Sequence, residues 1–178
     1  MNRLKHIQAD ALRQAQTLGL LRAGQVAAKA LKEPYPTAGD IQPWQIRTLE
    51  AMQGRICEPD NDSLPTPDEC GALEATLRFV RSMPTSTVER MAALLSLFEA
   101  APLVLGPNRT RFSLLSPAEQ TAFLSRWPDS RIPAQRAAFH AIKTICMMGY
   151  WSRESTWSAI GYSIGKNPGV PERLRSAP

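Results

Sequence analysis

A recurring helix-start signal limits this chain's fold more than any other feature. Ser116-Pro117-Ala118-Glu119 is its clearest form. A serine N-cap accepts a hydrogen bond from a free N–H of the first turn, and a glutamate three residues on reaches back to the cap N–H. Proline at the first helical position gives up a donor that had no partner. Thr66-Pro67-Asp68-Glu69 repeats the signal, and Ser86-Thr87-Val88-Glu89 reads as a third box. Apolar residues follow each start at spacings of three and four, and no stretch alternates with period two. The expectation is an all-α fold, a compact bundle of about six or seven helices with an N-terminal helical arm and an extended C-terminal tail.

Residues 1–33 form the arm. Leu4, Ile7, Ala11, Leu12, Leu18, Leu21 and Leu31 give an apolar face, with Gly19 and Gly24 as weak points. A basic amphipathic helix of this kind packs on a partner, packs within its own chain, lies on a membrane or serves as a targeting peptide. A partner arm is the preferred reading. Residues 34–42 are a Pro- and Gly-containing linker, 43–165 the main helical domain, and 166–178 a proline-bearing tail. Pro43–Cys57 is a helix using Ile46, Leu49, Met52 and Ile56. The next uses Leu73, Leu77 and Val80 and ends at Pro84. Another uses Met91, Leu94, Leu95 and Phe98, and Pro102 bends or stops it. After Ser116, Phe123, Leu124 and Trp127 share a side, and Pro128 ends the helix. The helix near Pro133 carries two stripes, Ala138, Ile142 and Ile145 beside Phe139, Cys146 and Tyr150. So wide an apolar arc marks it as central, with Gly149 loosening its end. A short helix with Trp157 and Ile160 stops at Gly161.

The 178 residues suffice for one domain with a core. No apolar run approaches the length of a membrane span. The net charge of +5 is scattered along the chain. It hints at an acidic partner and argues against a nucleic-acid binder, which would gather its cations on one face. Cys57, Cys70 and Cys146, an odd set without a CxxC pair, read as buried free thiols, with a Cys57–Cys70 disulfide as the alternative. Asp60, Asp62 and Asp68 invite a calcium reading, but the loop lacks the EF-hand glycine and final glutamate.

No dinucleotide fingerprint, P-loop, GxSxG or HExxH occurs. His140 reads as a core histidine before a general base. Cys146, six residues on, falls on a different face of the helix. Glu99, Glu119 and Asp129 have no evident catalytic partner. No catalytic, cofactor-binding or metal-ligating residue is assigned to this chain. The candidate partner interface is Trp127, Arg131, Arg136, Tyr150, Trp151, Trp157 and Tyr162, because aromatic and arginine side chains dominate interface hot spots. Core packing competes with that reading for each tryptophan.

The run from Phe112 to Tyr162, FSLLSPAEQTAFLSRWPDSRIPAQRAAFHAIKTICMMGYWSRESTWSAIGY, resembles the helical module that accompanies bacterial glucose-methanol-choline (GMC) flavoprotein oxidoreductases. That module occurs as the gluconate 2-dehydrogenase subunit 3 family. The matching elements are the L-S-P-x-E start, the W-x-x-S-R at Trp127 to Arg131, the alanine-rich helix after it, Tyr150-Trp151, and W-x-x-I-G-Y at Trp157 to Tyr162. The upstream TLEAMQGRICEP is similar to the family's first helix. The resemblance implies a non-catalytic small subunit of an FAD-dependent alcohol dehydrogenase. FAD and a histidine base would sit in the large GMC-type partner subunit, and a cytochrome c subunit is a further partner it allows. A maturation chaperone of the flavoprotein is the alternative within the family. A free-standing basic nucleic-acid binder, and a small enzyme using His140, are the alternatives outside it. Exported members often carry a twin-arginine signal, and no such pair is present. The expected location is therefore cytoplasmic, membrane-associated only through partners, rather than periplasmic.

Overall fold

The helices assemble around one that is apolar on nearly every side. A computed structural model describes residues 2–37, 39–106 and 109–162, with side chains from Leu18 onward. It contains six α-helices: α1 Asn2–Leu31, α2 Pro43–Ile56, α3 Ala72–Arg81, α4 Thr85–Leu105, α5 Pro117–Leu124 and α6 Pro133–Trp151. Three 3-10 turns accompany them, at Phe112–Leu114, Glu154–Thr156 and Ser158–Ile160. No strand occurs among the described residues, so the chain is all-α. The tail expected from 166 onward lies outside the described residues.

The hub is α4, which packs against α1, α2, α6 and the first 3-10 turn. Met91, Leu95 and Phe98 enter the core with Leu49, Met52, Phe112 and Ile142. Each fully buried side chain of this size contributes about 1.5–3 kcal/mol by leaving water. The expectation that α6 is the central helix is corrected here: α6 buries Phe139, Ile142, Ile145, Cys146 and Tyr150, but its opposite side is open.

In α1, Gly24 lies against Ala93, and Ala28 and Leu31 pack with Trp44, Ala100 and Leu103. A Cβ on Gly24 would come within 2.7 Å of the Ala93 Cα, so glycine sets how closely α1 and α4 approach. Gly24 meets Ala93, and the cluster of Ala28 and Leu31 with Ala100 and Leu103 lies further along both helices, so the two run in the same direction. The second half of the arm is therefore part of the fold. Both ends of the linker are also held: the Trp44 indole N–H donates to the Pro34 carbonyl at 3.0 Å, and Ile41 is buried.

Two of the three start signals form as boxes. Ser116 Oγ accepts from the Glu119 N–H at 3.4 Å, and the Glu119 carboxylate accepts from the Ser116 N–H at 2.8 Å. Thr66 and Glu69 make the same exchange, yet only a turn follows it. Gly71, at φ 64°, reverses the backbone before α3 begins at Ala72. The third expected box is absent, because α4 starts at Thr85 behind Pro84 with no side-chain cap. Pro102 does not stop α4, which runs on to Leu105. The short helix expected around Trp157 is a pair of 3-10 turns, closed by Gly161 at φ 70°.

Gly149 does not loosen α6. It is where α6 crosses α3. A Cβ there would lie 2.9 Å from Thr76 Cβ and closer still to Thr76 Oγ1.

Candidate partner interface

The seven residues proposed for a partner surface separate into two regions. α6 spans about 27 Å between its ends at 1.5 Å per residue. Tyr150, Trp151, Trp157 and Tyr162 gather at its C-terminal end. Tyr150 is buried, and its hydroxyl donates to the Pro65 carbonyl at 2.6 Å. Burial pushes that phenol above its ordinary value, with the Cys70 and Cys57 thiols adding to the shift. Tyr150 meets Trp151 edge-on at 5.2 Å. Trp151 and Trp157 are half-buried, and the Trp157 indole donates to the Trp151 carbonyl at 2.8 Å. Tyr162 is exposed and stands at 89° to Trp157, centroids 5.4 Å apart. The result is a stepped aromatic edge, anchored inside by Tyr150 and open to solvent at Tyr162.

Trp127, Arg131 and Arg136 lie at the other end. Trp127 is a core residue: its ring stacks on Phe98 at 4.2 Å and contacts Phe123 at 5.9 Å. Core packing accounts for its burial. Arg136 donates to the Ser130 carbonyl at 2.6 Å, bracing the turn into α6. Arg131 is exposed.

An apolar groove of about 430 Å³ opens beside Trp127, and the sequence reading missed it. Its walls are Leu20 of α1, Leu97, Ala101 and Val104 of α4, and Ala134 and Ala138 of α6. Val104 is 84 % exposed and Leu105 56 % exposed at its rim. A signal for it was present. From Leu94 to Leu105 the sequence LLSLFEAAPLVL holds one charged residue, and a helix apolar all round calls for cover on every side.

The remaining candidates are resolved by placement. His140 is exposed on α6, not a core histidine, while Cys146 is fully buried on another side of the helix, so the two form no pair. Cys57, Cys70 and Cys146 are free and buried. Burial pushes the Cys57 thiol up to about 12, and raises Cys70 and Cys146 as well, so all three are protonated near neutral pH. Asp60, Asp62 and Asp68 are exposed, and no cluster of three metal-ligating side chains occurs among the described residues. Glu99, read from sequence as a carboxylate without a partner, is 2 % exposed and fully engaged. It accepts from Thr48 Oγ1 at 3.1 Å, from the Ser113 N–H at 3.0 Å and from Ser113 Oγ at 2.6 Å. No described helix is long and apolar enough to cross a membrane.

No family model, curated protein or solved structure matches the chain.

Proposed function

We propose that this chain is a non-catalytic small subunit of an FAD-dependent GMC-type alcohol dehydrogenase. It binds and stabilises a large flavoprotein subunit that oxidises an alcohol or sugar-acid hydroxyl by hydride transfer to its own FAD. The observation that carries the docking role is the groove between α1, α4 and α6, which no described element covers, with Val104 and Leu105 exposed at its rim. Contiguous apolar surface of this kind marks interaction sites on water-exposed proteins. The family assignment of the partner rests on the sequence resemblance across 112–162.

The test is purification of the tagged chain from its native host, with mass and visible absorbance recorded together. The expected product is a stoichiometric partner with flavin bands at about 370 and 450 nm. Val104→Asp should release it while the chain stays folded, because that side chain is open to solvent. A substoichiometric flavoprotein would indicate a maturation chaperone instead. A colourless chain purifying alone would overturn the reading.

A further inference from the structure

A second surface of the molecule has its own chemistry. The outward side of α6 carries Ala137, Ala141, Thr144, Met148 and Trp151. Their spacing of four, three, four and three is that of one seam of a helix pair. Ala137 and Thr144 are exposed, Met148 is 45 % exposed, and Ala141 and Trp151 are half-buried. A solvent-facing helix normally places charged residues along the middle of its outer side. This seam has none. Its residues are small at one end and large and deformable at the other, which suits close approach of a second helix followed by methionine and tryptophan packing.

The stretch of chain that carries the seam holds charge of one sign only. From Arg131 to Arg153 the sequence has no aspartate or glutamate, although the chain holds 16 acidic residues. Lys143 and His140 are exposed along the seam, and neither makes a salt bridge or a hydrogen bond to a described residue. They line an open depression of about 470 Å³ with Thr144, Met147, Met148 and Trp151. Arg136 continues the row one turn before His140.

We infer that the outward side of α6 is a docking site for an acidic amphipathic helix of another protein, its apolar stripe on the 137–151 seam and its carboxylates beside Arg136, His140 and Lys143. A second copy of this chain fits less well, because the arm and α6 are both basic and like charges would be set side by side. The inference rests on the proposed docking role but not on the partner being a flavoprotein.

The experiment titrates the full-length chain with two synthetic helices of about 16 residues, about 24 Å long and so matched to the seam. Both carry leucines at the same three–four spacing. One has glutamates flanking the leucines and the other lysines. Tryptophan fluorescence in a Trp157→Phe background reports binding through Trp151, because the other two tryptophans, Trp44 and Trp127, are buried. The glutamate helix should bind, more weakly as salt rises, and the lysine helix should not. Joint reversal of His140 and Lys143 to glutamate should weaken the glutamate helix about tenfold and improve the lysine helix. Thr144→Arg should abolish binding of both, with the helical circular dichroism unchanged because the side chain is exposed. Equal binding of the two helices, no binding of either, or a preference that survives the charge reversal would overturn the inference. Self-association of the chain that Thr144→Arg abolishes would assign the seam to a second copy and also overturn it. The flavoprotein reading is decided separately, by whether the purified complex carries flavin.

Discussion

Gly149→Ala is the most informative single change in the core. The added methyl would lie 2.9 Å from Thr76 Cβ and 3.0 Å from Thr76 Cα, with Oγ1 nearer still. Thr76 cannot simply turn aside. Its Oγ1 accepts from Gln53 Nε2 at 2.8 Å and donates to the Ala72 carbonyl at 2.9 Å. Gln53 is 1 % exposed and its Oε1 already has no partner among the described residues. Rotating Thr76 would weaken the hold on Gln53 Nε2, which would keep only the Cys146 carbonyl at 3.1 Å. Leaving Thr76 in place would force α3 and α6 apart. Overpacking of a close contact costs about 1–3 kcal/mol, and a disturbed buried hydrogen bond about 1–3 kcal/mol. Replacing a helical glycine with alanine returns about 1 kcal/mol. The net expectation is a loss of about 1–5 kcal/mol in urea unfolding at an unchanged m-value. A double-mutant cycle with Thr76→Ala locates the cause. Thr76→Ala alone takes one partner from Gln53, but it removes Oγ1, the nearest of the three Thr76 atoms that the new methyl meets, so the two losses should add to more than the double mutant shows, by at least about 0.5 kcal/mol. A neutral or stabilising Gly149→Ala would refute the reasoning, because it would mean that α3 and α6 do not cross this closely.

Three further outcomes are expected. Glu99→Ala should cost about 3 kcal/mol, because it strips the acceptor from Ser113 and Thr48, whereas Glu99→Gln should cost about 1 kcal/mol; both are read by urea melts. Trp127→Ala should cost about 3–5 kcal/mol by emptying the space against Phe98, so partner loss in that variant would report a damaged core; Val104→Asp should leave the melt nearly unchanged and lose only the partner. The buried thiols set the alkaline limit. Cys57 has an ordinary value of 9.0 and is pushed to about 12 in the folded chain, mainly by burial and then by Cys70. Above pH 9 the unfolded chain loses thiol protons that the folded chain keeps, so stability should be level below pH 9 and fall from there towards pH 12, as followed by thermal melts across that range.

The parts of the fold legible in the sequence were those governed by one side chain and its near neighbours. Ser116 and Glu119 form the box that their spacing implies, and Phe139, Ile142, Ile145, Cys146 and Tyr150 face inward as their periodicity requires. The misses came from long-range partners. On α2 the buried side includes Gln45, Thr48 and Gln53, residues that a hydrophobic count places outside, while Ile46 and Ile56 are only partly buried. Nothing local marks Glu99 as interior, since its partners Thr48 and Ser113 come from elsewhere in the chain. His140 differs the other way: a wide apolar arc on α6 implies burial all round, yet that arc includes an outer seam that no described element covers. Gly149 carried the signal of a helix end and the function of a crossing point. The two meanings differ only in what lies opposite, here Thr76.

The buried polar groups share a pattern. Gln45 Nε2 reaches Ser96 Oγ and the Ala92 carbonyl, both at 2.9 Å, which joins α2 to α4. Thr48 meets Glu99 of α4, and Gln53 meets Thr76 of α3 and the Cys146 carbonyl of α6. Every buried polar side chain of α2 therefore reaches a helix other than α2 itself. Apolar contacts tolerate sliding, whereas a buried hydrogen bond that misses its partner costs about 1–3 kcal/mol. A one-residue slip of α2 would break all three links together, so α2 fixes the register of α3, α4 and α6. The seam along α6, and the α4 and α6 walls of the groove beside Trp127, are built on helices tied this way. A partner that uses either surface meets a frame already set, and its binding energy goes into contact rather than into ordering this chain.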